Sequence, residues 1–285
     1  MNLEQLLQLK IPDIEYLATP RDAMLYALGI GVGDWPEDAR DLQFVYEQNL
    51  KMFPSQVNVI CHPGGWIMNP VLEVDWVKLL HGEQSFEILK PLQPGTTYVG
   101  SYRVLGVVDK GAGKGALLFL RKELREKGHA DIVSTVDSTY FLRGDGGCGS
   151  TGMEAPAPHA IPERAPDSSV TISIPPRAAL IYRLSGDYNP IHADPVIARK
   201  AGFDRPILHG LCSLGVAARA VLQAACDDQP ERLHSLKLRF SSPVYPGETL
   251  ATDIWRDGNV VSFRSRVAER DVVVLNNGRA VVSTS

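Results

Sequence analysis

Apolar and small residues crowd at helical spacing in one run, LCSLGVAARAVLQAA from Leu211 to Ala225, which leaves almost no polar face. Such a run predicts a buried helix, with Gly210 in its first turn. Elsewhere the apolar positions read as strands: TYVGSYRVLGVVDKG, GALLFLRKEL and IVSTVDSTYFLR in the first half, then LHSLKLRFSSP, TLATDIWRDGN, VVSFRSRVAE and VVVLNNGRAVVS. Asp109-Lys110-Gly111, Asp257-Gly258-Asn259 and Asn276-Asn277-Gly278 supply residues that tolerate positive φ, so each is expected to turn a hairpin. Antiparallel strands around an apolar helix give an α+β class.

The pattern occurs twice. TPRDAMLYALGIGVG from Thr19 and PPRAALIYRLSGDYN from Pro175 align Pro20, Arg21, Ala23, Tyr26 and Leu28 with Pro176, Arg177, Ala179, Tyr182 and Leu184. KPLQPGTTY and SPVYPGETL then repeat a P-x-x-P-G core in the same order, which implies two similarly folded halves. Gly31 falls in register with Asp187, so the first copy lacks that carboxylate. Between the halves, GDGGCGSTGMEAPAPHAIPERAPDSS is rich in Gly, Pro, Ala and Ser and reads as a linker. The organisation expected is a repeat over 1–143, a linker over 144–169 and a chemistry-bearing repeat over 170–285. GDGGCG matches G-x-G-x-x-G, but Pro-rich sequence follows where a dinucleotide site requires a helix.

Composition narrows the function. A chain of 285 residues, 44% hydrophobic, buries a substantial core. Its net charge of −4 gives no electrostatic reason to expect a nucleic-acid or anionic-membrane partner. Cys61, Cys148, Cys212 and Cys226 form no CxxC pair, so neither a zinc site nor a disulfide framework is indicated. No apolar run reaches membrane-spanning length, the N-terminus lacks signal-peptide features, and the final Ser-Thr-Ser is no peroxisomal tripeptide; the expectation is a cytoplasmic protein.

The densest chemical signal is SGDYNPIHADP. Asp187, Asn189 and His192 lie within six residues, and Asn189-Pro190 forces a turn. A carboxylate and an imidazole on one side of a turn can share a water as an acid/base pair. Gly210, at a helix start, offers a free backbone N–H to developing negative charge. These parts suit addition of water across a double bond conjugated to a carbonyl. No nucleophile elbow and no second histidine at metal-ligand spacing appears, so covalent and metal-assisted routes are weaker. His209 reads as a structural residue before the helix, Cys212 as packing, and His62, His129, His159 and His234 as surface or packing, since none has a carboxylate partner in a motif.

The run YRLSGDYNPIHADPVIARKAGFDRPILHGLCSLG closely resembles the signature of the MaoC-like hydratases, specifically the 2-enoyl-CoA hydratase 2 group, and LHGEQSFEILKPLQPG, VVDKGAGKG, FLRGDGGCG and KLRFSSPVYPGETL extend the resemblance over nearly the whole chain. It implies a double hot-dog fold, each repeat wrapping its sheet round a long helix, with an acyl pocket in the first. It implies hydration of trans-2-enoyl-CoA to (3R)-3-hydroxyacyl-CoA without metal or other cofactor. By motif match Asp187 and His192 act on the water, while Asn189 and the Gly210 amide partner the thioester oxygen and its surroundings. Substrate and CoA contacts fall on His81, Gly82, Lys110, Tyr188, Pro190, Ile191 and Phe240. A homodimer is expected. FPSQVNVICHPGGW, where the acyl pocket is shaped, gives no clear size. Thioester hydrolysis and non-catalytic acyl-CoA binding are the competing readings.

Overall fold

The computed structural model describes residues 1–34 and 37–283. The first repeat runs α1 (Leu3–Gln8), β1 (Ile14–Ala18), α2 (Pro20–Gly29), α3 (Ala39–Val45), β2 (Leu79–Ile88), β3 (Thr96–Asp109), β4 (Ala116–Glu126) and β5 (Ile132–Leu142). The second runs β6 (Ser168–Ser173), α4 (Ala178–Tyr182), α5 (Pro195–Lys200), α6 (Gly210–Ala225), β7 (Leu233–Phe240), β8 (Thr249–Asp257), β9 (Val260–Val267) and β10 (Val272–Val282). All ten strands join one antiparallel sheet in the order β1-β3-β4-β5-β2-β7-β10-β9-β8-β6, whose halves mirror each other. The halves meet where β2 pairs with β7, from Glu83 opposite Arg239 to Glu87 opposite Ser235. That pairing hides an edge each half would otherwise expose. The Arg239 guanidinium straps it, donating to Glu83 at 2.6 and 3.0 Å.

The duplicated segment builds the approximate two-fold relation. Thr19 caps α2 in a capping box with Asp22, and Pro20 fits the first turn because its missing N–H needs no partner there. The two repeat-related tyrosines, Tyr26 of α2 and Tyr182 of α4, face each other with ring centroids 5.8 Å apart. The apolar run forms α6, buried along most of its length against the sheet. Gly215 lets it approach α2: a Cβ there would lie 2.5 Å from a methyl of Ile30.

Two expectations are corrected. Only the second repeat has its long helix. In the first, the chain between α3 and β2 makes four short 3-10 turns, Pro54–Asn58, Trp66–Met68, Pro70–Leu72 and Trp76–Lys78. Pro54, Pro63 and Pro70 with Gly64-Gly65 prevent a continuous helix. Buried Lys122 anchors the first turn, donating to the carbonyls of Val57 at 2.6 Å and Ile60 at 2.7 Å. Second, Asn276-Asn277-Gly278 turns no hairpin. It is a bulge inside β10, where Asn277 takes φ 54 and the register slips against both neighbours. The expected turns at Gly111 and Gly258 do form, both glycines at positive φ.

At the register position of Asp187, Gly31 has φ 81 and its carbonyl accepts from the Arg219 guanidinium of α6, which also donates to Asp41 at 3.0 Å. An ion pair thus fills the first repeat's loop. The segment between β5 and β6 is pinned rather than loose: Gly147 and Gly149 donate to the Asp109 carboxylate at 2.8 and 2.9 Å, and Thr151 donates to the Val107 carbonyl at 3.0 Å. No helix follows GDGGCG. Among the described residues no helix is long and apolar enough to cross a membrane.

Candidate active site

Gly186 adopts φ 118 and ends the 3-10 turn Arg183–Ser185, leaving Asp187 and Tyr188 in irregular chain. Asn189 then caps a second turn, Pro190–His192, accepting from the Ile191 N–H at 3.1 Å. The Asp187 carboxylate accepts from the Asn189 N–H at 3.1 Å through Oδ1. Its Oδ2 faces His192 Nε2 at 4.0 Å.

His192 is buried, and its Nδ1 lies 2.9 Å from the Ile207 carbonyl. A carbonyl only accepts, so the proton sits on Nδ1 and Nε2 presents a lone pair towards Asp187. Burial holds the ring's pKa below the usual 6.5, with the Ile207 bond and the Asp187 charge opposing. Two acceptors facing each other at 4.0 Å do not bond directly. A water donating one proton to each through ordinary hydrogen bonds spans about 4.4 Å between its acceptors, which fits this gap closely.

Beside the pair begins α6. Its Cys212 and Ser213 N–H groups donate to the His209 carbonyl, whereas no acceptor is seen for the Gly210 N–H among the described residues. Gly210 lines a pocket of about 880 Å³ together with Asp187, Asn189, Ile191, His192 and Phe240. The residue must be small: a Cβ would stand 3.2 Å from the Phe240 ring. Phe240 packs edge-on against His81 at 5.0 Å between centroids, and His81 shares a hydrogen bond with Gln84 at 2.8 Å. Burial pushes the His81 pKa down to about 4. Gly82 and Lys110 also line the pocket, the Lys110 ammonium lying 5.3 Å from the Phe141 ring centroid.

Of the residues expected from the sequence, Tyr188 and Pro190 are not brought in. Tyr188 points outward and stacks with the Arg183 guanidinium at 5.0 Å, and Pro190 serves as the first residue of its turn. The geometry adds three contributors. His62 lines the pocket within electrostatic reach of Asp187; the Gly64 N–H donates to its Nδ1 at 3.1 Å, so its proton is on Nε2. His209 stacks face to face on His192, centroids 3.7 Å apart. Ala155 and Pro156 put the linker in the pocket wall. Only the Gly after His209, marking a helix start, hinted at any of these from sequence.

Asp187, His192 and His209 offer polar atoms within 4.8 Å of one another. Their arrangement suits a metal ion poorly. The two rings are stacked at 27°, so their nitrogen lone pairs run side by side rather than converging, and His209 Nε2 is already donating to the Asp187 main-chain carbonyl.

Fold and site together define a double hot-dog protein carrying a facing carboxylate and imidazole, and a helix-start amide with no acceptor among the described residues, in one pocket. The family description "MFE-2 hydratase 2 N-terminal domain" fits residues 16–144 and "MaoC like domain" fits residues 158–277. The peroxisomal enoyl-CoA hydratase 2 of Arabidopsis thaliana is 37% identical, over 96% of this chain and 93% of that protein. The crystal structure of a MaoC-like dehydratase from Phytophthora capsici superposes with a TM-score of 0.87 at 36% identity, covering 100% of both chains. A Mycobacterium tuberculosis protein described as a double hotdog fold shares the architecture alone, with a TM-score of 0.58 at 16% identity, over 96% of this chain and 94% of that one. The chain belongs to the MaoC-like family, in its hydratase 2 group.

Proposed function

We propose that the protein hydrates trans-2-enoyl-CoA reversibly to (3R)-3-hydroxyacyl-CoA, as a hydro-lyase that uses no metal or other cofactor. The observation that carries this reading is the 4.0 Å gap between Asp187 Oδ2 and His192 Nε2, opening into the pocket beside the Gly210 amide. The kinship with a protein named enoyl-CoA hydratase 2 supports it.

A water held between the two acceptors attacks the β-carbon of the enoyl thioester. As its oxygen bonds there, one proton passes to the pair and the π electrons move onto the thioester oxygen, giving an enolate. The Gly210 N–H, at the positive end of α6, donates to that oxygen, with the Asn189 amide nearby. The enolate collapses as the α-carbon takes a proton. With a carboxylate and a neutral Nε2 facing the water, neither partner holds a spare proton, so the proton reaching the α-carbon is the one the water gave up. Atoms balance as addition of one water, and the same path reversed is dehydration. Which partner takes the proton first is a property of the coupled pair. His81, Gly82 and Phe240 flank the thioester side of the pocket, and Lys110 meets the coenzyme phosphates.

Incubating the protein with short, long and bulky enoyl-CoA thioesters tests the reading through loss of near-ultraviolet absorbance and chiral analysis of the product. No loss with any member, an S product, or release of free CoA thiol in place of hydration rejects it. We further propose a homodimer in the cytoplasm, although the Arabidopsis relative is named peroxisomal. Light scattering and imaging of a tagged protein check these two points.

A further inference from the structure

His209 is 1% exposed and precedes the amide assigned to the thioester oxygen, yet the reaction as derived gives it nothing to do. We infer that His209 is a positioning residue: through one hydrogen bond and one stacked face it fixes the backbone of Asp187 and the ring of His192 relative to each other. This rests on the hydratase reading, because the spacing it fixes is the one that holds the water.

Three observations carry it. First, His209 Nε2 lies 3.1 Å from the main-chain carbonyl of Asp187. The carbonyl only accepts, so Nε2 bears the proton and ties the irregular Asp187 stretch to the start of α6. Among the described residues, the remaining hydrogen bonds of this stretch are short-range: Gly186 N–H to the Arg183 carbonyl, Asn189 N–H to the Asp187 carboxylate, and Arg183 to the Tyr188 carbonyl. Second, His209 stands at the N-cap position of α6 without capping it. A Ser or Asn there would turn its side chain onto the first free N–H groups, crowding the amide the reaction uses. His209 turns to the loop instead. Third, its ring covers His192 at 3.7 Å and 27°, which blocks rotation of a ring already held at Nδ1 by Ile207.

The arrangement has a cost that shows what the position retains. His209 Nδ1 is buried and has no hydrogen-bond partner among the described residues. A phenylalanine would fill the space with no orphaned acceptor, so the Nε2–H is the feature that distinguishes histidine here. Face-to-face stacking also requires at least one neutral ring. Burial, then the neighbouring His192, keep His209 neutral, with Asp187 opposing and Arg183 assisting; the Tyr182 ring also packs against it, tilted, at 5.1 Å between centroids.

The test combines kinetics with a measurement on the unaltered protein. His209→Phe keeps the stack and loses the N–H; the expected result is a fall in kcat of about 10–100-fold with KM within about threefold, since misplacing the pair harms the chemical step more than binding. The acid limb of the kcat profile should also move. His209→Gln, whose amide can reach the Asp187 carbonyl, should recover part of the loss. Nitrogen-15 histidine NMR of the wild type should show His209 neutral with its proton on Nε2 at neutral pH. Wild-type kcat and pH profile in His209→Phe, or a wild-type His209 that is charged or protonated on Nδ1, overturns the inference. Should His209→Phe fail to fold, the NMR result decides. If the wild type hydrates no enoyl-CoA, the hydratase reading falls, and the NMR result still judges the clamp separately.

Discussion

Acid should unfold this protein in a window set by its buried histidines rather than its carboxylates. His81 and His209 have pKa values lowered to about 4 from 6.5, in both cases chiefly by burial. The sign follows from proton binding. A histidine kept neutral in the fold but free to charge in the unfolded chain favours unfolding once pH falls below the unfolded value, and the loss grows until the folded value is reached. At about pH 5 each group costs about 2 kcal/mol, so the two remove about 4 kcal/mol from a total stability of about 5–15 kcal/mol. His192, also lowered by burial, adds in the same direction. Carboxylates held down by hydrogen bonds, such as Asp109 and Asp167, withdraw their stabilisation only as pH falls further, below about 4. Denaturant unfolding at several pH values between about 7.5 and 5 reads the slope. His81→Phe should flatten it by about 2 kcal/mol whatever its effect at neutral pH. A wild type that loses less than about 1 kcal/mol over this range, or a His81→Phe curve as steep as wild type, would refute the reasoning.

Three substitutions probe the rest. Asp187→Asn keeps an acceptor for the Asn189 N–H but removes a base from the water; kcat should fall about 10²–10⁴-fold with little change in melting temperature, and a rate within threefold of wild type in a steady-state assay would contradict the acid/base pair. Gly210→Ala places a methyl 3.2 Å from the Phe240 ring, so kcat/KM should drop by about tenfold while the fold survives; an unchanged value would mean that nothing reacts beside that amide. Arg219→Met leaves the buried Asp41 carboxylate with, among the described residues, only the Gly33 N–H as partner, a loss of about 3–5 kcal/mol visible by calorimetry, and a second change, Asp41→Leu, should restore most of it.

Legibility followed distance along the chain. The acid/base loop could be read because Gly186, Asp187, Asn189, Pro190 and His192 carry its turn chemistry within one short stretch, and the hairpins because their apolar alternation is local. Tyr188 lies in that same stretch, yet local sequence does not say which way its side chain leaves the turn, and Arg183 takes it outward. In the sequence, β2 is signalled only by the His81 and Gly82 of the LHGEQSFEILKPLQPG resemblance. As a strand paired on both sides it carries His81, Glu83 and Gln84, so its alternation is masked by polar residues, two of which bond across the sheet, Glu83 to Arg239 and Gln84 to Ser138. Asn276-Asn277-Gly278 has the composition of a turn, and only pairing with β7 and β9 makes it a bulge. His62 and His209 lack a partner in sequence because theirs are set by topology.

The same topology explains how one of two similar halves holds the chemistry. At the register position where the second repeat has Asp187, the first has Gly31, and a lost side chain would leave a buried gap with an unsatisfied carbonyl. Arg219 fills it from α6, satisfying the Gly31 carbonyl and pairing with Asp41. The first turn of that helix presents the Gly210 amide to the second repeat's pocket. One helix therefore serves both loop positions, completing the site at its N-terminus and plugging the vacant copy midway. In the first repeat, where no such helix forms among the described residues, Lys122 holds the turn at Val57 and itself lines the pocket. The asymmetry of the helices thus accompanies the asymmetry of the chemistry: Asn58, His62 and Pro63, from the first repeat's stretch of short turns, line the pocket, while α6 alone reaches both loops, through Gly210 and Arg219.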